Sequence, residues 1–350
     1  MKALIWHKNG ELELVEKEKP QIQNQKDAII KVTLSTICTS DLHIKKGFVP
    51  KALPDTVLGH EFVGEVVEIG NEVKKLSIGD RVSANCETFC GECYFCKKGY
   101  INNCQNGGWE LGCTIDGCQA EYVRVPYADN GLTVLPDNVT DENALFVGDI
   151  LSSGYFGAEM CEIQSGDTIA VIGCGPVGLC AMMCAKYMGA ERIIAIDIDD
   201  TRLETVSRNK LADYCLNPTK TDIESTIKTL TKNRGADGVI EAAGGLKTFE
   251  MAWEIARANA IVGVVAMYEE NQILPLPQMY GKNLTFKTGG VDAIHCQKLV
   301  ELIAQKKINT DILITHKYSL ENIIQAYKHF ESKKDNCIKI AIHNKITSLT

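Results

Sequence analysis

The chain of 350 residues is short of positive charge and of long apolar runs. Its 37 lysines and arginines are outnumbered by 45 aspartates and glutamates, which gives a formal net charge of −8 at pH 7. Because nucleic-acid phosphates are bound by clustered lysine and arginine, we expect no nucleic-acid partner. No apolar stretch is long enough to span a bilayer, so we also expect no membrane partner.

The sequence also lacks the apolar core of a secretory signal peptide after Met1-Lys2-Ala3. It carries fifteen cysteines, an odd number, which does not fit a fully paired disulfide framework. We therefore expect a cytoplasmic protein with reduced thiols, in which most cysteines act as small apolar residues.

What the chain does contain is enough apolar sequence for a large core. Apolar residues make up 45 % and charged residues 23 % of the chain, and its length allows two domains. There is no internal repeat and no low-complexity linker.

Four cysteines stand close together in the spacing C-x2-C-x2-C-x7-C, at Cys90, Cys93, Cys96 and Cys104. Four thiolates at such spacing suit a tetrahedral structural zinc that holds a loop with little core of its own. An iron–sulfur cluster has similar ligand spacing, but it calls for a Cys-Pro ending or a second cysteine group, and the sequence has neither. We therefore predict a structural zinc here rather than a cluster or disulfides.

The pattern of apolar residues changes along the chain. Short β-branched runs at 28–36, 61–70 and 80–86, separated by turns at Gly70-Asn71 and Gly79-Asp80, predict a small antiparallel barrel. From about residue 153 strands alternate with helices, and the strands at 168–172, 192–196, 239–242 and 260–267 are almost wholly apolar. Such strands predict a parallel sheet that is covered on both faces.

Two helices in this second region have readable ends. Pro176 to Met188 predicts a helix that ends at Gly189. The run Thr221-Asp222-Ile223-Glu224 predicts the start of another, which we expect Gly235 to stop.

A glycine-rich turn joins the first of these strands to its helix, and its key residues are Gly173, Gly175, Pro176, Val177 and Gly178. In that position the G-x-G-x-x-G pattern predicts a dinucleotide site, because the backbone can approach a pyrophosphate at the helix N-terminus. The next strand ends at Asp197. A carboxylate there accepts hydrogen bonds from ribose hydroxyls and repels a 2′-phosphate, which favours NAD over NADP, although Arg202 could soften the preference.

A second set of donors, Cys38 and His60, precedes the four cysteines. Zinc in a catalytic site uses three protein ligands and keeps a fourth position open. Cys38-Thr39-Ser40-Asp41, Gly59-His60-Glu61-Phe62-Val63-Gly64, the four-cysteine loop and the glycine turn together resemble the zinc-containing medium-chain alcohol dehydrogenases, over essentially the whole chain.

The resemblance implies an α/β protein made of two domains. A catalytic domain with a GroES-like β-barrel would take residues 1–152 and the returning segment 292–350. A Rossmann domain, with a doubly wound parallel sheet for the cofactor, would take residues 153–291. The family's active site lies in the cleft between these domains.

The resemblance also assigns roles to residues. The third ligand of a catalytic zinc would be Asp149, in Phe146-Val147-Gly148-Asp149-Ile150. Glu61 would be a carboxylate beside the metal that ligates transiently or orients the site through hydrogen bonds. Ser40 and His43 match the family's proton relay, in which a hydroxyl beside the reacting oxygen leads through the ribose 2′-hydroxyl of the cofactor to an imidazole base at the surface.

The expected activity is hydride transfer between a small alcohol and NAD, with two zinc ions per chain. Asp149 resembles the bacterial secondary-alcohol and formaldehyde-type branches, whereas polyol and threonine branches usually carry glutamate there. We expect a secondary alcohol and its ketone, with an aldehyde product still open. Polyol, butanediol, threonine-type and hydroxysteroid dehydrogenases stay open as alternatives, as does a zinc-free quinone reductase. Trp109, Tyr155 and Phe156 are candidates for the pocket wall. The resemblance further implies a homo-oligomer, a dimer or a tetramer.

Overall fold

A computed structural model describes residues 1–344 of the chain. Contacts between Cα atoms divide it into two compact units. Unit 1 is Met1–Ser152 together with the segment that starts at Asp292, and unit 2 is Ser153–Val291. Among residues 1–344, no helix is long and apolar enough to cross a membrane.

Unit 1 is built mainly from short strands. Its elements are β1 (Lys2–Trp6), β2 (Leu12–Glu16), β3 (Ala28–Thr36), α1 (Thr39–Lys45), β4 (Phe62–Ile69), β5 (Arg81–Ala84), α2 (Tyr94–Lys97), β6 (Tyr122–Val125), α3 (Ala128–Gly131), β7 (Leu132–Val134), α4 (Asp141–Ala144) and α5 (Ile150–Met160), which contains the unit boundary.

The seven-stranded sheet of unit 1 also needs strands from beyond residue 292. Here lie α11 (Cys296–Ala304), β14 (Ile314–Ser319), α12 (Ile323–Ser332) and β15 (Lys339–His343). The strand order is β14-β15-β3-β4-β5-β7, with β6 also paired to β3. Only the β14–β15 pair is parallel among the strands of this sheet. Register shifts between β3 and β4 bend the sheet, as bulges do, and this curvature suits the predicted barrel.

Unit 2 alternates strands and helices. Its elements are β8 (Thr168–Ile172), α6 (Pro176–Met188), β9 (Arg192–Ile196), α7 (Asp200–Arg208), β10 (Tyr214–Leu216), α8 (Ile223–Leu230), β11 (Ala236–Glu241), α9 (Thr248–Ile255), β12 (Ala256–Val264), α10 (Leu276–Met279) and β13 (Thr285–Thr288).

The six strands of unit 2 form one sheet in the order β10-β9-β8-β11-β12-β13, and every pair is parallel. All five residues of β8 are buried, as the apolar sequence predicts for a central parallel strand. The order reverses at β8, so the sheet is doubly wound. The predicted α/β architecture is therefore confirmed.

The predicted end of one helix, α6, agrees with the structure, and the predicted end of the other, α8, does not. Helix α6 spans Pro176–Met188 and ends at Gly189 with φ +104°, as predicted. Helix α8 is capped by Asp222 rather than Thr221 and ends at Leu230, well before Gly235. The prediction of its end was wrong because Lys232 and Asn233 already adopt left-handed backbone conformations.

Candidate metal centres and cofactor turn

Cys38 stands at the start of α1, where its own backbone is fixed by a helix cap. It is the N-cap residue, and its N–H donates to Asp41 Oδ2 at 2.9 Å. Asp41 also accepts from Gln119 Nε2 at 3.1 Å. The cap therefore positions the Cys38 thiol at the end of β3, pointing into the interior of unit 1.

His60 and Glu61 directly precede β4, and both side chains are buried. His60 Nδ1 lies 3.5 Å from Asp41 Oδ1, which leaves Nε2 to face the opposite way, 3.3 Å from Asp149 Oδ2. A carboxylate at Nδ1 is the usual partner of a histidine whose Nε2 binds a metal, since it fixes the ring and its tautomer.

Asp149 reaches the same place from a third segment. The residue before it is Gly148, where an added Cβ would lie 1.6 Å from the carbonyl oxygen of Ala84, so only glycine permits this close approach of the backbone to β5. Asp149 Oδ2 then lies 3.3 Å from Cys38 Sγ as well as from His60 Nε2. The ligand atoms of Cys38, His60, Glu61 and Asp149 all lie within 4.8 Å of one another. We call these four residues the mixed cluster.

The buried ion pair beside the mixed cluster involves a residue that the sequence analysis did not single out. Lys339, in β15, is 1 % exposed, contacts Glu61 Oε1 through Nζ and donates to the Ile37 carbonyl at 3.0 Å. The second oxygen of Glu61 is buried without a hydrogen-bond partner among the residues described. That oxygen is therefore free to accept a donor or a cation.

The pKa values in the cluster show strong competition between burial and charge. Burial raises the pKa of the Cys38 thiol to about 11. Burial also raises the pKa of Glu61 to about 8, although the Lys339 charge opposes it. For Asp149 burial is overcome by the hydrogen bond to His60, which holds its pKa below the usual range, and for His60 the Asp41 charge overcomes burial and raises the pKa.

The donor set fits Zn²⁺. Deprotonated Cys38, Glu61 and Asp149 carry three negative charges against the single positive charge of Lys339, an excess that a divalent cation would balance. Tetrahedral zinc with bonds of about 2.0 to 2.3 Å separates its ligands by roughly 3.3 to 3.8 Å. The Sγ to Oδ2 and Nε2 to Oδ2 distances, both 3.3 Å, match this geometry.

Two further predicted residues lie on α1. Ser40 Oγ is 3.5 Å from Cys38 Sγ, so it stands beside the donors. His43 lies one helical turn further along α1, and its ring centroid is 6.1 Å from that of Phe48. Positions three apart on a helix share a face, so the hydroxyl and the imidazole lie on the same side of α1.

Trp109, one of the three aromatic candidates for the pocket wall, contacts the mixed cluster directly. Its ring meets that of His60 edge to face, with centroids 5.8 Å apart. Tyr155 and Phe156 lie in α5 on the unit 2 side of the boundary.

The four predicted cysteines of the loop come together as a second cluster. Sγ atoms of Cys93 and Cys96 are 3.5 Å apart and those of Cys90 and Cys104 are 3.6 Å apart, and all four lie within 4.8 Å of one another. These distances are far longer than the disulfide bond of about 2.0 Å and suit the edges of a tetrahedron. We call this set the cysteine cluster.

Backbone N–H groups support the cysteine cluster. Those of Cys90 and Asn106 donate to Cys104 Sγ at 3.3 and 3.4 Å. Those of Cys96 and Gln105 lower the pKa of the Cys93 thiol to about 6, which favours the thiolate that metals bind. The donor set fits a closed structural zinc site.

The glycine-rich turn of unit 2 has the geometry that the sequence predicts. Gly173 has φ +97°, and a Cβ on Gly178 would lie 1.8 Å from the Gly173 carbonyl oxygen. Gly175 caps α6, with Pro176 and Val177 as its first residues. The turn is therefore tight, and the N–H groups of the first turn of α6 are available to an anion.

Asp197 follows β9 and reaches into this turn. Its Oδ2 accepts from the Cys174 N–H at 2.7 Å and its Oδ1 accepts from the Asp199 N–H at 2.9 Å. Arg202 Nη1 lies 3.8 Å from Asp197 Oδ2. The carboxylate is thus held next to the turn with one guanidinium nearby.

Asp41 and Lys339 contact the mixed cluster but were not predicted as site residues, and the sequence contains only a weak signal for each. Asp41 stands three positions after Cys38, which is the spacing of a capping box. Lys339 interrupts the apolar run Ile338-Lys339-Ile340-Ala341-Ile342, and a lysine buried in a strand requires an acidic partner. Neither signal identifies the partner at the metal site. Asp41 lies beside His60 and Lys339 pairs with Glu61, and each of these contacts joins segments that are distant in sequence.

Two family models match the chain. One is described as the alcohol dehydrogenase GroES-like domain and matches residues 24–137. The other is described as zinc-binding dehydrogenase and matches residues 176–305.

Individual relatives match over nearly the full length. An alcohol dehydrogenase of Cupriavidus necator is 36 % identical over 98 % of each chain. An NADP-dependent isopropanol dehydrogenase of Thermoanaerobacter brockii is 32 % identical over 97 % of this chain and 98 % of its own. Among solved structures, the alcohol dehydrogenase TADH from Thermus sp. ATN1 superposes with a TM-score of 0.91 at 33 % identity, covering 98 % of this chain and 99 % of its own.

Proposed function

This chain belongs to the zinc-dependent medium-chain alcohol dehydrogenase family, and on that premise we propose that it oxidises small secondary alcohols to ketones with NAD as hydride acceptor. The observation that carries the proposal is the convergence of Cys38 Sγ, His60 Nε2 and Asp149 Oδ2 in one buried place. Zinc-dependent alcohol oxidoreduction is the activity of the family. The choice of alcohol and of cofactor is our proposal.

In the proposed site Cys38, His60 and Asp149 would hold Zn²⁺ as its three protein ligands. The ion would supply the Lewis acidity that lets an alcohol hydroxyl lose its proton near neutral pH. Ser40, beside Cys38, would accept that proton through a hydrogen bond, and His43 on the same face of α1 would pass it to solvent. Glu61, paired with Lys339, would place its second oxygen toward the metal.

The cysteine cluster is proposed to hold a second, structural zinc. Its four thiols would occupy every coordination position, so it would have no part in the chemistry. Thiolate ligands must stay reduced, which supports our proposal that the enzyme works in the cytoplasm.

NAD is proposed as the cofactor because Asp197 follows β9 beside the glycine turn, the position from which dinucleotide-binding folds of this kind contact the adenosine ribose. Its carboxylate, with Asp199 and Asp200 nearby, would repel a 2′-phosphate. One relative is an NADP-dependent enzyme, so the preference is a matter for measurement. We expect kcat/KM for NAD to exceed that for NADP by about tenfold or more. This corresponds to a difference of roughly 1.4 kcal/mol in activation free energy.

A secondary alcohol is proposed as substrate on two grounds. Asp149 would be the third zinc ligand, as in the branches that the sequence resembles, and one relative is an isopropanol dehydrogenase. Trp109 beside His60 adds an apolar wall to the site.

The test is an assay of NAD and NADP reduction with primary alcohols, secondary alcohols, polyols, threonine and hydroxysteroids, with zinc content measured on the same sample. We expect the highest kcat/KM with a short secondary alcohol. A preference for a polyol or a steroid would contradict the proposed secondary-alcohol substrate and assign the enzyme to another branch of the family. Quinone reduction by a zinc-free sample without alcohol oxidation would contradict the proposal.

We also propose that the enzyme is a homo-oligomer. Unit 2 exposes several large apolar side chains, and Leu246, Ile273 and Tyr280 are 78 %, 80 % and 87 % exposed. Ile273, Leu274, Leu276 and Tyr280 are all exposed within one short segment, and exposed apolar side chains that lie together mark interaction surfaces. Sedimentation analysis should give a dimer or tetramer, and Ile273→Asp should shift it toward the monomer. A monomeric wild-type protein would contradict this proposal.

A further inference from the structure

A third group of metal-binding side chains lies in the last part of unit 1, apart from the two clusters described above. It consists of His316 in β14, His329 in α12 and Cys337 just before β15. One ligand atom from each of these residues lies within 4.8 Å of the others. No part of alcohol oxidation requires this group.

His329 has one ring nitrogen in a hydrogen bond, and among residues 1–344 the other has no hydrogen-bond partner. Nδ1 lies 2.9 Å from the Tyr318 hydroxyl. Nε2 is buried, and within residues 1–344 it has no hydrogen-bond partner. Asp335 Oδ2 lies 3.7 Å from this Nε2 atom. When Nδ1 carries the proton and donates to Tyr318, Nε2 presents a lone pair, which is the arrangement of a metal-binding histidine.

His316 faces the same point from the neighbouring strand. Its Nδ1 lies 3.0 Å from Thr315 Oγ1, which leaves Nε2 as the nitrogen for a ligand. Its ring meets that of His329 edge to face, with centroids 4.2 Å apart and planes at 68°. Two imidazoles this close cannot both be charged without cost, so a neutral pair that shares a cation is the favourable state.

Cys337 supplies the sulfur through a tight loop after α12. Lys333, Asp335 and Asn336 have positive φ values of 51°, 53° and 54°, which turn the chain back within a few residues. The Cys337 N–H donates to the Lys334 carbonyl at 3.0 Å. The loop thereby brings the thiol, and the Asp335 carboxylate with it, against the two rings.

We propose that His316, His329 and Cys337 form a third metal site that binds Zn²⁺, with Asp335 or water as the fourth ligand. Two imidazoles and one thiolate are ligands that zinc prefers. The separation of up to 4.8 Å exceeds the roughly 3.3 to 3.8 Å of a tetrahedral site, so binding draws the side chains together by about 1 Å. The ion would tie β14, α12 and the loop before β15 to one another.

The test uses the purified full-length enzyme and Zn²⁺ itself as the probe. Wild type, His316→Asn and Cys337→Ser are dialysed to equilibrium against micromolar buffered zinc, and bound metal is measured per chain. The wild type should bind one more zinc than either variant. Adding zinc should also raise the melting temperature of the wild type and leave that of both variants unchanged.

Matched controls change the same residue types outside this group. His343→Asn and Cys215→Ser should keep the wild-type zinc content. Equal zinc content in the wild type and both test variants would overturn the proposal, and so would a loss that His343→Asn reproduces. Circular dichroism on each variant checks that the protein is folded. Because the readout is zinc content, the result for this third site is independent of the alcohol dehydrogenase assay.

Discussion

The cysteine cluster takes all its donors from residues 90–104, whereas the mixed cluster takes its four donors from three distant segments, those that contain Cys38, His60 with Glu61, and Asp149. The first is only partly buried, and backbone N–H groups are its main support. The second is buried and supported by side chains that carry charge. A local loop can be closed by one ion, but a reactive site has to be assembled by the whole fold of unit 1.

The largest expected effect comes from Cys38→Ala, which breaks the mixed cluster alone. We expect kcat/KM for alcohol oxidation to fall about 10³-fold or more, because Lewis-acid stabilisation of several kcal/mol is lost and about 1.4 kcal/mol corresponds to tenfold. NADH binding, followed by fluorescence, should persist. The control is Cys113→Ala, a buried thiol in an apolar cluster. Wild-type turnover in Cys38→Ala would contradict the assignment of the mixed cluster as catalytic.

Lys339→Met tests whether charge holds the mixed cluster together. Removing the lysine leaves Glu61 buried without its partner, and breaking a buried pair costs about 3 to 5 kcal/mol of unfolding free energy. The double variant Lys339→Met with Glu61→Gln should recover much of the loss. Urea unfolding measures both. A single-variant loss below about 1 kcal/mol would show that the pair contributes little.

Cys93→Ala breaks the cysteine cluster instead. We expect the melting temperature to fall by roughly 5 to 10 °C, because a structural zinc contributes directly to folding. At room temperature kcat should fall far less than it does in Cys38→Ala. Cys215→Ala, a half-buried cysteine outside the group, is the control. An unchanged melting curve and unchanged zinc content would rule out a structural metal here.

Asp41→Asn gives the smallest expected effect and sharpens the comparison further. The asparagine amide oxygen can still accept a hydrogen bond from the Cys38 N–H, but the substitution removes the negative charge beside His60 Nδ1. Carboxylate partners of metal-binding histidines are typically worth at least about tenfold in affinity or activity. We expect about tenfold faster zinc loss to a chelator. The control is Asp55→Asn, which removes the exposed partner of His7, and equal rates in both variants would contradict the role of Asp41.

The same contrast explains how much could be predicted from the sequence. The cysteine cluster and the glycine turn are local patterns, and the structure brings the members of each together. Helix α6 was predicted to the residue, because proline and glycine mark its ends. The end of α8 was not, since the left-handed backbone of Lys232 and Asn233, which no local pattern marks, ends the helix before Gly235.

The residues of the mixed cluster could be predicted only in part from local sequence patterns. Cys38 and His60 were candidates from their own chemistry, while Asp149 entered through resemblance to a family. Lys339 lies in β15, far along the chain from Glu61, and only the pairing of β15 with β3 brings it to the site. Contacts that depend on strand order between distant segments cannot be derived from local residue patterns.

The most direct test of the account is a crystal structure of the purified enzyme with anomalous data collected at the zinc absorption edge. The account predicts a zinc peak about 2.0 to 2.3 Å from Cys38 Sγ, His60 Nε2 and Asp149 Oδ2. Well-ordered density for all three side chains with no metal peak between them, in crystals grown from an active sample, would contradict it.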